Sequence, residues 1–124
     1  MKIQIFQIKR GKFKNARGKY SRFLNIYCSH CGEHILLYQK DGSGVLKRLY
    51  LDRIFAPEKL SSLQNIPLIE DMPQLFCSRC ERLIAIPGIF SKEQRNVYLL
   101  LSYSFIYKIS KGYYPPDKKR LKHV

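Results

Sequence analysis

The sequence predicts a mainly β fold of antiparallel hairpins organised around a four-cysteine metal site. Three observations carry this reading. Two Cys-x-x-Cys pairs, Cys28/Cys31 and Cys77/Cys80, account for all four cysteines. Apolar residues recur with period two from Val97 to Ile109; this is strand spacing, since helical spacing would put Ser and Lys on the apolar face. At 124 residues and 45% hydrophobic content, the chain has one domain's length and enough apolar material for a core.

Taken in order, Ile3, Ile5 and Ile8 suggest a first short strand, and residues 10–19 (RGKFKNARGK) read as a mobile basic loop. Tyr20–Tyr27 runs as a strand into the first cysteine pair. His34–Lys40 and Val45–Leu51 are strand-like runs around Asp41-Gly42-Ser43-Gly44, a hairpin signal. The same glycines do not open a helix and lack the Lys-Ser/Thr ending of a phosphate loop, so they are read as a plain turn. Within the 52–66 insertion, Ala56-Pro57-Glu58-Lys59-Leu60 is expected to begin a short helix with Pro57 near its start. Pro67 and Pro73 make residues 65–74 an extended connector. Leu75–Phe76 enters the second cysteine pair, Leu83–Ile86 leaves it, and Pro87-Gly88 is a turn. The long strand 97–109 is expected to bend near Ser102–Ser104 and ends at Gly112 and Pro115-Pro116. Residues 1–116 are thus expected to form one zinc-stabilised domain, and 117–124 a flexible basic tail.

The cysteine pairs supply four thiolates, the number a tetrahedral structural zinc requires. A two-residue gap lets a tight turn aim both sulfurs at one ion. Gly32 follows the first pair, where a positive φ would return the turn to a strand; Glu81 holds the matching place in the second. The N-terminus has no uninterrupted apolar stretch resembling a signal peptide, so disulfides are disfavoured, and a lone redox Cys-x-x-Cys would not need the second pair. Zinc is the expected cofactor, one ion with a structural role, and iron is the alternative that the ligand chemistry admits. The 45 residues between Cys31 and Cys77 exceed the ~15–20 of a compact metal ribbon. His30 and His34 are read as neighbours of the site rather than ligands. The segments Cys-Ser-His-Cys-Gly (28–32) and Cys-Ser-Arg-Cys (77–80) resemble the knuckles of zinc-ribbon and rubredoxin-like proteins. That resemblance covers the knuckles and their flanking strands. It implies a zinc held by Cys28, Cys31, Cys77 and Cys80 between two β-hairpins, and it implies no one activity.

Charge points to an anionic partner. The chain carries 23 Lys+Arg against 9 Asp+Glu, a net +14. Residues 1–22 hold eight cations and no acid, and residues 108–124 hold six cations against Asp117, whereas residues 23–107 hold nine basic and eight acidic groups. The polycations are the two ends. Candidate nucleic-acid contacts are Lys9, Arg10, Lys12, Phe13, Lys14, Arg17, Lys19, Arg22, Arg79, Lys118, Lys119 and Arg120. In this set cations neutralise phosphates and an aromatic face stacks on a base. Phe6 and Phe23, although interleaved with cations, are read as core. No nucleophile motif with a nearby His and acid stands out, Glu70-Asp71 reads as a solvated loop, and four cysteines would close a metal's coordination sphere, so no enzymatic activity is expected. A cytoplasmic protein that binds nucleic acid, RNA over DNA, and associates with a ribonucleoprotein is the first expectation. A protein-binding adaptor or a homodimer formed through strand 97–109 is the second. No integral membrane association is expected, because no apolar run approaches ~18 residues.

Overall fold

The computed structural model describes residues 3–10 and 20–116. Within them the chain is mainly β, with antiparallel sheets and one short α-helix. The strands are β1 (Gln4–Ile5), β2 (Ser21–Cys28), β3 (His34–Asp41), β4 (Arg48–Tyr50), β5 (Ile54–Ala56), β6 (Leu75–Phe76), β7 (Leu83–Phe90), β8 (Arg95–Leu100), β9 (Phe105–Ser110) and β10 (Tyr113–Tyr114). Helix α1 (Glu58–Ser61) starts directly after Pro57, as the sequence suggests. One four-stranded sheet has the order β5-β3-β2-β9, the second β4-β8-β7-β6, and β1 and β10 form a separate ribbon.

The two sheets share a core. Leu24 and Ile26 from β2, Leu36 and Tyr38 from β3, Leu49 from β4, Ile84 and Ala85 from β7 and Tyr98 from β8 all belong to it. β2 is buried on both faces: Leu24 and Ile26 face this core, whereas Phe23 joins a smaller cluster with Leu37 and Ala56. Phe6, Phe55 and Tyr114 cover the smaller cluster, so the β1–β10 ribbon forms a third layer. Phe6 and Phe23 each meet Phe55 edge to face, at 5.4 and 5.2 Å, which is a favoured aromatic geometry. Phe23 is therefore a core residue, and Phe6, partly buried, packs against its cluster. At the ribbon's turn, Gly112 has φ +89°, and a Cβ there would lie 2.8 Å from two Phe23 ring carbons.

Five expectations change. The first strand shrinks to Gln4–Ile5 because Phe6 turns inward while Ile3 and Ile5 stay exposed. The Asp41–Gly44 stretch is not a hairpin turn. β3's outer edge is taken by β5, through Leu37 opposite Ala56 and Tyr38 opposite Ile54, so the chain crosses to the second sheet and β4 pairs with β8. Pro87-Gly88 lies inside β7, opposite Tyr98 and Val97. β6 pairs with β7 no further than Ala85, and a proline beyond that point removes no ladder bond from the unpaired side. The period-two stretch 97–109 is two strands in different sheets, joined through 101–104 with Tyr103 at φ +67°. The connector 65–74 is not fully extended; it contains a 3-10 turn at Ile69–Asp71 and is tied down by the Tyr98 hydroxyl, which donates to the Pro73 carbonyl at 2.6 Å.

Candidate metal centre

Each cysteine pair sits at the tip of an antiparallel hairpin, β2–β3 for the first and β6–β7 for the second. The two turns share one hydrogen-bond pattern. In the first, the Cys28 amide donates to the Glu33 carbonyl at 2.8 Å and the Gly32 amide to the Cys28 carbonyl at 2.9 Å. In the second, the Cys77 amide donates to the Arg82 carbonyl at 2.8 Å and the Glu81 amide to the Cys77 carbonyl at 3.0 Å. Gly32 (φ +80°) and Glu81 (φ +64°) occupy the same left-handed position. Glu81 therefore adopts the backbone that the sequence associates with glycine.

The four sulfurs converge. All lie within 4.8 Å of one another, with Cys28 Sγ 3.6 Å from Cys80 Sγ and Cys31 Sγ 3.5 Å from Cys77 Sγ. A single ion with ~2.3 Å metal–sulfur bonds in a tetrahedron sets its sulfurs about 3.8 Å apart. These separations match that edge and far exceed the ~2.05 Å of a disulfide. The donor set thus fits one metal ion gripped by both hairpins. Burial opposes ionisation of Cys28, yet the Cys31 and His30 amides and the neighbouring sulfurs outweigh it and hold the thiol down at about 7. Burial and the adjoining thiols push Cys31 up to about 12. Without a cation the cluster favours a thiolate at Cys28 and resists one at Cys31 and Cys80; a bound metal would hold its ligating thiols in the anionic form. The Arg79 amide donates to Cys77 Sγ at 3.4 Å, giving one sulfur a backbone partner.

The site also reaches the rest of the fold. The Ser29 amide donates to the Ser104 carbonyl at 3.0 Å and its hydroxyl to the Tyr103 carbonyl at 2.6 Å, so the first knuckle holds the β8–β9 crossover. His34 is not among the clustered ligands. Its Nε2 pairs with Asn25 Oδ1 at 2.8 Å, and burial lowers it to about 4. His30 is exposed.

The predicted nucleic-acid residues fall in three groups. Lys12, Phe13, Lys14, Arg17, Lys19, Lys118, Lys119 and Arg120 lie outside the described residues. Lys9 and Arg22 are engaged within the fold: Lys9 Nζ donates to the Asp52 carbonyl at 3.0 Å, and Arg22 Nη1 to the Gly42 carbonyl at 3.1 Å. Arg10 and Arg79 are exposed. Sequence reasoning missed the polar group that anchors the N-terminal segment. Gln39, fully buried, accepts from the Lys9 amide at 2.6 Å and donates to the Lys9 carbonyl at 2.8 Å and to Asp41 Oδ1 at 2.8 Å. Asp41 also accepts from Ser21 at 2.6 Å and from Arg53 at 2.9 Å. Burial would raise its carboxyl, but these three donors prevail and hold it below the ordinary range. The available signal was Gln39-x-Asp41 directly after the apolar run Ile35–Tyr38. Among the described residues, no helix is long and apolar enough to cross a membrane. No protein-family model, curated protein or solved structure matches this chain.

Proposed function

We propose that this protein is a zinc-held β domain that binds nucleic acid, RNA in preference to duplex DNA, without catalysing a reaction. Charge placement carries the reading: eight cations and no acid in residues 1–22, within a net +14. The β1–β10 ribbon supports it, because Gln4 lies opposite Tyr114 and the two basic terminal segments are rooted side by side. Like charges gathered in this way repel until an anion neutralises them, and a phosphate backbone does so over many contacts. Zinc is proposed over iron because its closed shell imposes no competing geometry on four thiolates, which fill its tetrahedron and leave no position for substrate. RNA is favoured because the α-helix among the described residues has four residues, too short to read a major groove, whereas β surfaces with flanking cations suit single strands. The proposed organisation is a cytoplasmic domain over residues 1–116 followed by a basic tail, associated with a ribonucleoprotein.

Binding of the metal-loaded full chain to a labelled oligouridylate and to duplex DNA tests this directly. If six to ten phosphates are contacted, affinity for RNA falls by about 10³–10⁵ between about 50 and 200 mM salt. Absence of binding at low salt, or binding indifferent to salt, refutes it. Elemental analysis of native protein is expected to find one zinc per chain.

One observation favours a second reading, a protein-binding or homodimeric module. β9 is the outer strand of its sheet, and its Tyr107 and Ile109 are 48% and 65% exposed. Such an edge is able to accept another strand. A dimeric mass in solution together with indifference to RNA would favour this alternative.

A further inference from the structure

Residues 23–107 are nearly neutral overall, yet six of their nine basic groups converge. Lys40, Lys47, Arg48, Arg53, Lys92 and Arg95 line one cleft of about 440 Å³, against Asp41 and Glu93. That volume lies within the ~300–1,000 Å³ of ligand clefts. The cleft opens where the 44–47 loop crosses between sheets and faces the β7–β8 turn. One wall is a ladder of cations and rings. The Arg48 guanidinium lies 4.2 Å over the Phe90 ring, Phe90 meets Tyr50 edge to face at 6.1 Å, and the Arg95 guanidinium lies 4.4 Å over Tyr50.

The two acids are already committed. Asp41 pairs with Arg53 at 2.9 Å, and Glu93 with Arg95 at 3.2 Å; Asp52, just outside, pairs with Arg95 as well. Lys40 Nζ donates to the Gly42 carbonyl at 3.2 Å. Lys47, Arg48 and Lys92 have no carboxylate partner among the described residues. Placement over Phe90 anchors the Arg48 guanidinium and leaves it N–H donors for a two-oxygen acceptor. Three uncompensated cations around one fixed fork exceed what a single carboxylate neutralises; they suit a phosphate near −2.

We infer that this cleft is a phosphate-binding site in which Arg48, Lys47 and Lys92 hold the oxygens of a phosphate group, carried either by an RNA backbone or by a free phosphate ester or anion. The site works through side chains rather than through the glycine-rich segment as a phosphate loop. Its RNA source rests on the proposed function; its free-phosphate source does not.

The test uses the metal-loaded full chain with two probes, inorganic pyrophosphate by calorimetric titration and a short oligouridylate by fluorescence anisotropy. Arg48→Gln/Lys92→Gln removes two cleft cations. Lys59→Gln/Arg82→Gln removes the same charge at exposed positions outside both the cleft and the basic ends. Lys47→Gln/Lys92→Gln, which leaves the Arg48–Phe90 stack intact, serves if the first pair fails to fold. Losing two charge-assisted contacts is expected to weaken at least one probe by about ten- to a hundredfold, with little change in the control. Pyrophosphate bound through the cleft while RNA is ignored supports the site and refutes the nucleic-acid reading. RNA bound equally by all variants, with pyrophosphate unbound, overturns the site and leaves that reading standing. Equal weakening in cleft and control variants, or no binding of either probe, also overturns it.

Discussion

Glu81→Gly is expected to stabilise the protein and Gly32→Ala to destabilise it, although the two positions are structurally equivalent. Both follow a cysteine pair, both donate to the carbonyl of the first cysteine, and both have positive φ, +64° and +80°. A left-handed backbone costs a side-chain-bearing residue about 1–2 kcal/mol, the lower end applying at Glu81, whose φ lies in the allowed region. Glycine removes that cost but gives the unfolded chain about 0.4–1 kcal/mol of extra freedom. The net gain for Glu81→Gly is therefore about 0.5 kcal/mol, and the net loss for Gly32→Ala is up to about 1 kcal/mol. No atom lies within 4 Å of a Cβ built at Gly32, so that loss is conformational rather than steric. Removing the Glu81 charge beside the thiolates acts in the same direction as the backbone term, and Glu81→Gln separates the two. The assay is thermal unfolding with saturating zinc, where shifts of a few degrees of opposite sign are expected. Equal signs at the two positions, or a gain for Glu81→Gln as large as for Glu81→Gly, would refute the backbone argument.

Three further outcomes follow from buried groups. Arg53→Met strands the Asp41 carboxylate, both residues being under 10% exposed, and is expected to cost about 3–5 kcal/mol in urea unfolding, part of it recovered by adding Asp41→Asn. His34 is held at about 4 against a usual 6.5, so the unfolded chain takes up its proton first as pH falls. Its contribution is intact above about pH 6.5 and is lost by about pH 4, a loss of about 3 kcal/mol, and an imidazole resonance titrating near 6.5 would contradict this. Asp41, depressed below its ordinary value, loses its contribution in a separate, more acidic window. Gly112→Ala drives a Cβ to 2.8 Å from the packed Phe23 ring at φ +89° and is expected to cost about 2–4 kcal/mol. Gly88→Ala places a Cβ 2.7 Å from Cδ1 and 2.9 Å from Cγ of the 40%-exposed Leu99, a side chain with solvent to move into, and is expected to cost less than Gly112→Ala; equal costs in calorimetry would show that contact rigidity is not what separates them.

What could be read from the sequence was local. A Cys-x-x-Cys turn is complete within six residues, so both knuckles, the positive φ at Gly32 and the short helix after Pro57 are visible without the fold, whereas the positive φ at Glu81 is not. Pairings between distant strands are not. The Asp41–Gly44 segment has hairpin chemistry, but β5 captures the edge of β3, and nothing near residue 41 announces Ile54. The period-two run 97–109 misreports both the sheet and the face: the chain changes sheet at 101–104, Leu99, Tyr103, Tyr107 and Ile109 of the apolar set are exposed, and Tyr98 from the intervening set is fully buried. The cleft cations come from β3, the 44–48 stretch, the 51–53 turn and the β7–β8 region, too dispersed for any motif.

The hidden crossover and the visible metal site turn out to be one device. Cys28 ends a strand of the first sheet and Cys77 follows a strand of the second, so a metal on the four thiolates ties sheet to sheet. The 101–104 crossover ties the same sheets by backbone, and it is bonded to both hairpins. Ser29 binds the carbonyls of Tyr103 and Ser104, while the Leu101 amide and the Ser104 hydroxyl donate to the Ile84 carbonyl at 2.9 and 3.1 Å. The chain passes between sheets where the metal would clamp them, which is how a 45-residue separation of the cysteine pairs is compatible with one rigid site. On this argument, removing the metal loosens the crossover first. Amide exchange at Leu101 and Ser104 should accelerate on chelation well before exchange in the β2–β3 ladder, and simultaneous loss of both would show that the metal secures the whole fold rather than this junction.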